Sequence, residues 1–252
     1  MKARNKNYRA YSLSRRAFLR QTGIMLTGIY LPALSNTSVT IESMKHTNFD
    51  VIIIGGSYSG LAAGLALGRA QMNVLVVDGG HPCNKQTPYS HNFLTQDGTK
   101  PAETAWLAKQ QVQKYTTVEF LNGIAVKSRK TVSGQFEIEM ESGEKFRGDK
   151  LIIATGIKDQ IPDIRGFSEC WGISVLHCPF CHGWEVRNEK TGIFANGQDG
   201  FELCKLISNW TSELFLFTNG TSTLSPEQLQ KLESHHITIV EKKVTRLEHS
   251  SG

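Results

Sequence analysis

The sequence has 252 residues, 39% hydrophobic and 20% charged, a balance that excludes wholesale disorder and allows one large domain or two small ones. Its formal charge of +5 does not point to nucleic acid, because the excess sits at one end. Residues 1–35 hold seven Lys or Arg and no acid; without them 21 basic residues face 23 acidic ones, a charge of −2.

The N-terminal stretch runs from Lys2, Arg4, Lys6 and Arg9 into Ser14-Arg15-Arg16-Ala17-Phe18-Leu19-Arg20, then an apolar run from Gly23 to Leu34. That run is too short to span a bilayer comfortably, so residues 1–35 read as a cleavable signal ending at the small residues Ala33 and Ser35. Arg15 and Arg16, flanked by Ser14, Phe18 and Leu19, fit a twin-arginine signal, which exports proteins already folded; a plain secretory signal is the other reading. The protein is therefore expected outside the cytoplasm, periplasmic or extracytoplasmic, with no permanent membrane span. A polar linker follows at 36–48.

Phe49-Asp50-Val51-Ile52-Ile53-Ile54 is the uninterrupted β-branched run of a central parallel strand buried on both faces. Gly55-Gly56-Ser57-Tyr58-Ser59-Gly60 turns it into an apolar helix, Leu61 to Arg69, and a second strand, Asn73 to Val77, ends at Asp78. Strand, glycine turn, helix and strand-end carboxylate together form a dinucleotide site: pyrophosphate on the helix N-terminus, the acid on the ribose hydroxyls. Ser57 replaces the middle glycine of G-x-G-x-x-G, which tightens the approach of backbone to phosphate. Val118–Leu121, Ile124–Ser128 and Phe136–Met140, separated by Asn122-Gly123 and Ser133-Gly134 and followed by Ser142-Gly143, predict a small antiparallel meander. It leads into a buried strand, Lys150 to Ala154, that ends at Thr155-Gly156.

His177-Cys178-Pro179-Phe180-Cys181-His182-Gly183-Trp184-Glu185 carries the chemistry. Two thiols in C-x-x-C can close a disulfide, and flanking histidines can stabilise a thiolate or shuttle its proton. Two Cys and two His are also a plausible zinc set, but zinc sites usually draw a second ligand pair from a distant knuckle, and this chain has none. A structural disulfide is a third reading; it leaves the histidines, Phe180 and Trp184 unexplained. Cys83, Cys170 and Cys204 lack such surroundings and are expected to be packed or surface residues.

Thr191-Gly192-Ile193-Phe194-Ala195-Asn196-Gly197-Gln198-Asp199-Gly200 repeats the strand–turn–helix theme with Ala195 in place of the first glycine. The next strand, Glu213 to Phe217, ends in Thr218-Asn219-Gly220, with neither the carboxylate of an NAD site nor the arginine of an NADP site.

GGSYSG, VVDGG, HNFLTQDG, ATG, HCPFCHGWE and the degenerate second glycine turn occur in this order. The set resembles the thioredoxin reductase-like family of FAD-dependent pyridine nucleotide-disulfide oxidoreductases, especially its dithiol-oxidase-like branch, over about residues 48–250. The resemblance implies an α/β fold of two Rossmann-like, three-layer ββα nucleotide-binding lobes: an FAD lobe at 49–160 with an antiparallel meander, and an inserted NAD(P)-like lobe at 161–252 carrying C-x-x-C. It implies FAD contacts from Gly55, Gly56, Ser57, Gly60, Asp78, Thr155 and Gly156. Cys178 becomes the interchange thiol and Cys181 the one facing the flavin. His182 stands where ordinary thioredoxin reductases carry an aspartate acid, and His177 flanks the pair on the other side.

A small dithiol or disulfide, or a thioredoxin-like protein, is the implied substrate, and a homodimer the implied assembly; no nucleic-acid partner is expected. Reduction by NAD(P)H is not expected, since the family's arginines are missing. The family's later Gly-Asp segment is also missing before Gly252, so the FAD lobe is expected to be incomplete. The leading expectation is an FAD-dependent dithiol/disulfide oxidoreductase. The alternatives are an NADPH-dependent thioredoxin reductase proper, or a non-catalytic remnant that holds a nucleotide or metal.

Overall fold

A strand without a polar break is stable only where both of its faces are covered. In the computed structural model, which describes residues 47–249, this is the position of β1 (Asn48–Ile54), at the middle of a six-stranded sheet. The expected leader at 1–35, and all but the end of the linker at 36–48, lie outside the described residues.

After β1 come α1 (Tyr58–Arg69), β2 (Val74–Asp78), α2 (Pro101–Val112), β3 (Val118–Asn122), β4 (Ala125–Lys130), β5 (Phe136–Met140) and β6 (Lys145–Ile153). The strand order is β3-β2-β1-β6-β5-β4. On one face Val51, Ile53, Val74 and Val76 pack with Leu61 of α1, Val112 of α2 and Val118. On the other, Phe49, Ile52, Leu75 and Val77 pack with Ile138, Met140 and Phe146. The hairpin strands thus fold over the parallel sheet, which gives the three layers expected. Nine-residue β6 makes this possible: its first part pairs antiparallel with β5, while the strand pairs parallel with β1 as far as Ile54↔Ile153.

One expectation needs correcting. Val118–Leu121 is not part of the meander: β3 pairs parallel with β2 at the sheet edge, so Asn122-Gly123 is a connection and not a hairpin turn. The meander is β4–β5–β6. An Asn-Gly pair between two strand-like runs signals a hairpin only if the runs are partners, and β3 has β2 to its side instead.

The second part of the chain holds two short helices, α3 (Phe167–Cys170) and α4 (Pro179–His182), then β7 (Thr191–Phe194), α5 (Gly197–Ile207), β8 (Leu214–Phe217), α6 (Pro226–Ser234) and β9 (Thr238–Val240). β7, β8 and β9 form a separate parallel sheet. Its core joins Ile193, Leu214 and Leu216 to Phe201, Cys204 and Leu232 of α5 and α6. Ser225 closes the N-terminus of α6 through a reciprocal capping box with Gln228. Among the described residues no helix is long and apolar enough to cross a membrane.

Ile52 and Ile53 are neighbours, fully buried, and belong to opposite cores. Ile52→Ala and Ile53→Ala are each expected to cost about 2–5 kcal/mol by denaturant unfolding. A loss at only one of them would mean that one face of β1 is not packed.

Candidate functional site

The first group of expected site residues gathers where β1, β2 and β6 end. Gly55 has φ +115°, and a Cβ there would overlap the Ala154 carbonyl. A Cβ on Gly60 would overlap the Gly55 carbonyl, and one on Gly56 would lie 2.5 Å from the Asp78 carboxyl carbon. The turn is therefore drawn tight against both neighbouring strand ends, and only glycine fits at these three points. Ser57 stands at the N-cap of α1 with extended backbone and makes no side-chain cap hydrogen bond, so the first amides of the helix face the turn. Asp78 accepts from Gly80 N at 2.9 Å. Thr155 and Gly156 follow β6, both exposed, Gly156 with φ +69°. A glycine cradle, unspent helix amides and a carboxylate one strand away suit the diphosphate and ribose of FAD.

The second group is the dithiol. Cys178 and Cys181 are joined in a disulfide with Cα atoms 5.3 Å apart, Cys178 at the N-cap of α4 and Cys181 within it. Their backbones are also linked, Cys181 N donating to Cys178 O at 3.2 Å. Cys178 and His177 line a cavity of about 1030 Å³ whose wall includes Trp171, Val175, Leu176 and Phe194; Cys181 is not in that wall. The His177 ring stacks on Trp171 at 5.6 Å, and the Trp171 indole N–H donates to the Asp159 carboxylate at 3.2 Å. Gly183, directly after His182, is pressed against the Trp210 indole, 2.9 Å from where a Cβ would stand. Phe180 meets the same indole edge-on at 5.5 Å.

His182 is held below the ordinary imidazole pKa, first by its burial, then by the neighbouring His91 and His177, with Glu185 opposing. It is therefore a neutral proton acceptor at pH 7. The remaining thiols have no such setting. Cys83 is exposed, Cys170 and Cys204 are buried, and burial alone pushes the Cys204 thiol up to about 11.

The two groups are connected through residues 81–100, whose role composition did not reveal. Tyr58, the first residue of α1, donates its hydroxyl to Pro101 O, accepts from Asn84 Nδ2, and packs against Phe93. His91 of the same loop meets His182 edge-on at 6.2 Å and places Nδ1 3.4 Å from Glu185. The string HNFLTQDG was visible in the sequence, but only the fold puts its histidine beside the dithiol.

The second glycine turn is occupied by its own side chains. Asn196 Oδ1 accepts from Gly197 N at 2.8 Å and Thr223 N at 3.0 Å, and its amide donates to Thr221 O. Asn219, where a ribose-binding acid would stand, accepts from Val244 N at 3.0 Å. These side chains tie loops together and offer no charge to a nicotinamide dinucleotide.

Known proteins are similar to this chain in sequence and fold. The chain is 35% identical to thioredoxin reductase tcpT of Claviceps purpurea, an alignment covering 71% of this chain and 58% of that protein. It is 33% identical to thioredoxin reductase aclD of Aspergillus oryzae over 81% of this chain and 67% of that one. The crystal structure of an oxidoreductase from Agrobacterium tumefaciens superposes with a TM-score of 0.76 at 35% identity, covering 81% of this chain and 68% of that chain. The chain thus spans about three fifths to two thirds of the length of these relatives. The family model for pyridine nucleotide-disulphide oxidoreductases matches residues 49–248, from the first residue of the buried strand run to beyond the second sheet. With that match taking in the glycine turn, the disulfide and most of the sequence, the chain belongs to the pyridine nucleotide-disulphide oxidoreductase family.

Proposed function

We propose that the protein is a thioredoxin reductase-like, FAD-dependent dithiol/disulfide oxidoreductase that exchanges electrons between the flavin and the Cys178–Cys181 pair. One observation carries this reading: the disulfide opens through Cys178 onto a large cavity, with a neutral imidazole, His182, next in sequence to Cys181. FAD is the cofactor of the family, and Gly55, Gly56, Ser57, Gly60, Asp78, Thr155 and Gly156 would hold it. When bound, it supplies a two-electron acceptor or donor for the cysteine pair.

The residues of the chain account for the exchange itself. His182 takes the proton of a substrate thiol, and the thiolate attacks Cys178 Sγ. A substrate–Cys178 bond forms, the Cys178–Cys181 bond breaks, and Cys181 leaves as a thiolate. The second substrate thiol gives its proton to solvent, and its thiolate displaces Cys178, which leaves as a thiolate. The substrate has closed to a disulfide, and two electrons now rest on the cysteine pair. Run backwards, the same steps reduce a substrate disulfide. The Trp171, Val175, Leu176 and Phe194 side of the cavity suits a compact apolar dithiol; a thioredoxin-like protein is the other substrate class this chemistry serves.

Two further parts of the reading rest on sequence. Arg15-Arg16 with Ser14, Phe18 and Leu19 supports export by a twin-arginine route, after cofactor insertion, to a compartment without NADPH. That fits a second lobe whose loop side chains are spent on each other. A homodimer follows from the family resemblance.

An anaerobic visible spectrum of the purified protein, before and after adding a small dithiol, is the direct test. A flavin band that bleaches or gains long-wavelength absorbance is expected, and neither Cys178→Ser nor Cys181→Ser should show it. Bleaching by NADPH without dithiol would instead identify a thioredoxin reductase proper. A colourless protein that takes up no FAD would refute the reading. Arg15→Lys with Arg16→Lys should leave the protein in the cytoplasm by cell fractionation; undiminished export would remove the twin-arginine route.

A further inference from the structure

His91 is the feature that the exchange chemistry does not yet use. It lies 87 positions before Cys178 in sequence, yet its ring meets that of His182 edge-on, centroids 6.2 Å apart and planes at 85°. Its Nδ1 faces two carboxylates, Glu185 Oε1 at 3.4 Å and Asp97 Oδ1 at 3.6 Å. That face of the ring therefore lies within ion-pair distance of two carboxylates. The side chain is only 20% exposed.

The loop that carries His91 is built to hold it still. Ser90 and Thr99 pair across the loop base, with Ser90 N donating to Thr99 O and Gly98 N to Ser90 O, both at 2.8 Å. Asp97 Oδ1 also accepts from Asn92 N at 2.8 Å. Asn92 and Thr95 adopt positive φ, +58° and +73°, conformations that non-glycine residues keep only where the surroundings impose them. Phe93 then anchors the loop on Tyr58 of α1. His91 is thus tied to the glycine-turn helix on one side and to the dithiol segment on the other.

We propose that His91, set beside Asp97 and Glu185, is a positioning residue whose ring holds His182 in place as the group that takes and returns the substrate proton at the Cys178–Cys181 disulfide. The proposal rests on the oxidoreductase reading for the identity of that proton. Its electrostatic side is specific. The titratable groups facing His182 are His91, Glu185 and His177, and the disulfide cysteines do not titrate. His91 and His177 disfavour the imidazolium, and Glu185 favours it. Removing His91 and removing Glu185 must therefore move His182 in opposite directions, which general loosening of the structure would not do.

The test is an NMR titration of the histidine rings in the full-length oxidised protein, comparing wild type with His91→Gln and Glu185→Gln. The expected result is a His182 midpoint that rises in His91→Gln and falls in Glu185→Gln. Stoichiometric reduction of the disulfide by dithiothreitol, followed against pH by thiol alkylation, should show its acid limb displaced the same way. Midpoints that stay at the wild-type value, or that move in one direction together, overturn the proposal. If His91→Gln folds poorly, His91→Asn is titrated in its place, and a His182 midpoint that does not rise overturns the proposal. Failure of the functional reading would look different: the wild-type disulfide would resist dithiothreitol at every pH, while the two midpoints still diverged.

Discussion

The backbone of Gly55 passes so close to the carbonyl of Ala154 that no side chain fits between them, and the first half of the molecule is arranged around that approach. It requires β1 and β6 to be neighbours, and they are, in parallel register as far as Ile54 and Ile153. Neighbouring β1 and β6 in turn need one long strand that can serve both the parallel sheet and the meander. Gly60, seated against Gly55, brings the start of α1 onto the same turn. The result is a small patch of backbone, helix amides and one carboxylate, Asp78. A phosphate-bearing cofactor needs that close backbone approach.

A reactive disulfide asks for a different compromise. His182 must be dry enough to stay neutral, yet near enough to a charge to be held in one orientation. Burial is the largest influence on its titration, and the three charged or chargeable neighbours nearly divide between the two signs. Glu185 favours the imidazolium, while His91 and His177 disfavour it. Trp171 fixes His177 by stacking, with Asp159 fixing Trp171. Each histidine is thus oriented by a partner that has no part in sulfur chemistry.

Most of the fold could be read in the sequence because its signals are local. The strand run Val51–Ile54, the glycines at 55, 56 and 60, and Asp78 lie within one supersecondary unit, and their spacing alone specifies the geometry. The cysteine pair is likewise contained in four residues. The pairing of β3 was not legible, since Asn122-Gly123 has the same appearance in a hairpin and in a link between strands that do not pair. Choosing between them depends on which strand edge is free, a property of the whole sheet. His91 was illegible for a related reason: its meaning comes from Glu185 and His182, which share no sequence window with it.

The second sheet shows what happens to a nucleotide-binding turn that fastens itself. A turn of this kind keeps its amides for phosphate and its strand-end acid for ribose. Here Asn196 satisfies the amides of Gly197 and Thr223, and Asn219 holds Val244 N. Gly197 retains φ +57° and sits 2.8 Å, at its missing Cβ, from Thr223 Oγ1, so the backbone still requires glycine for the turn itself. The turn needs its glycines for shape, while recognition of a dinucleotide depends on the side chains around it. That is why Gly197 and Gly200 argue for the fold of this lobe, and why the dinucleotide question is decided at Asn196 and Asn219 instead.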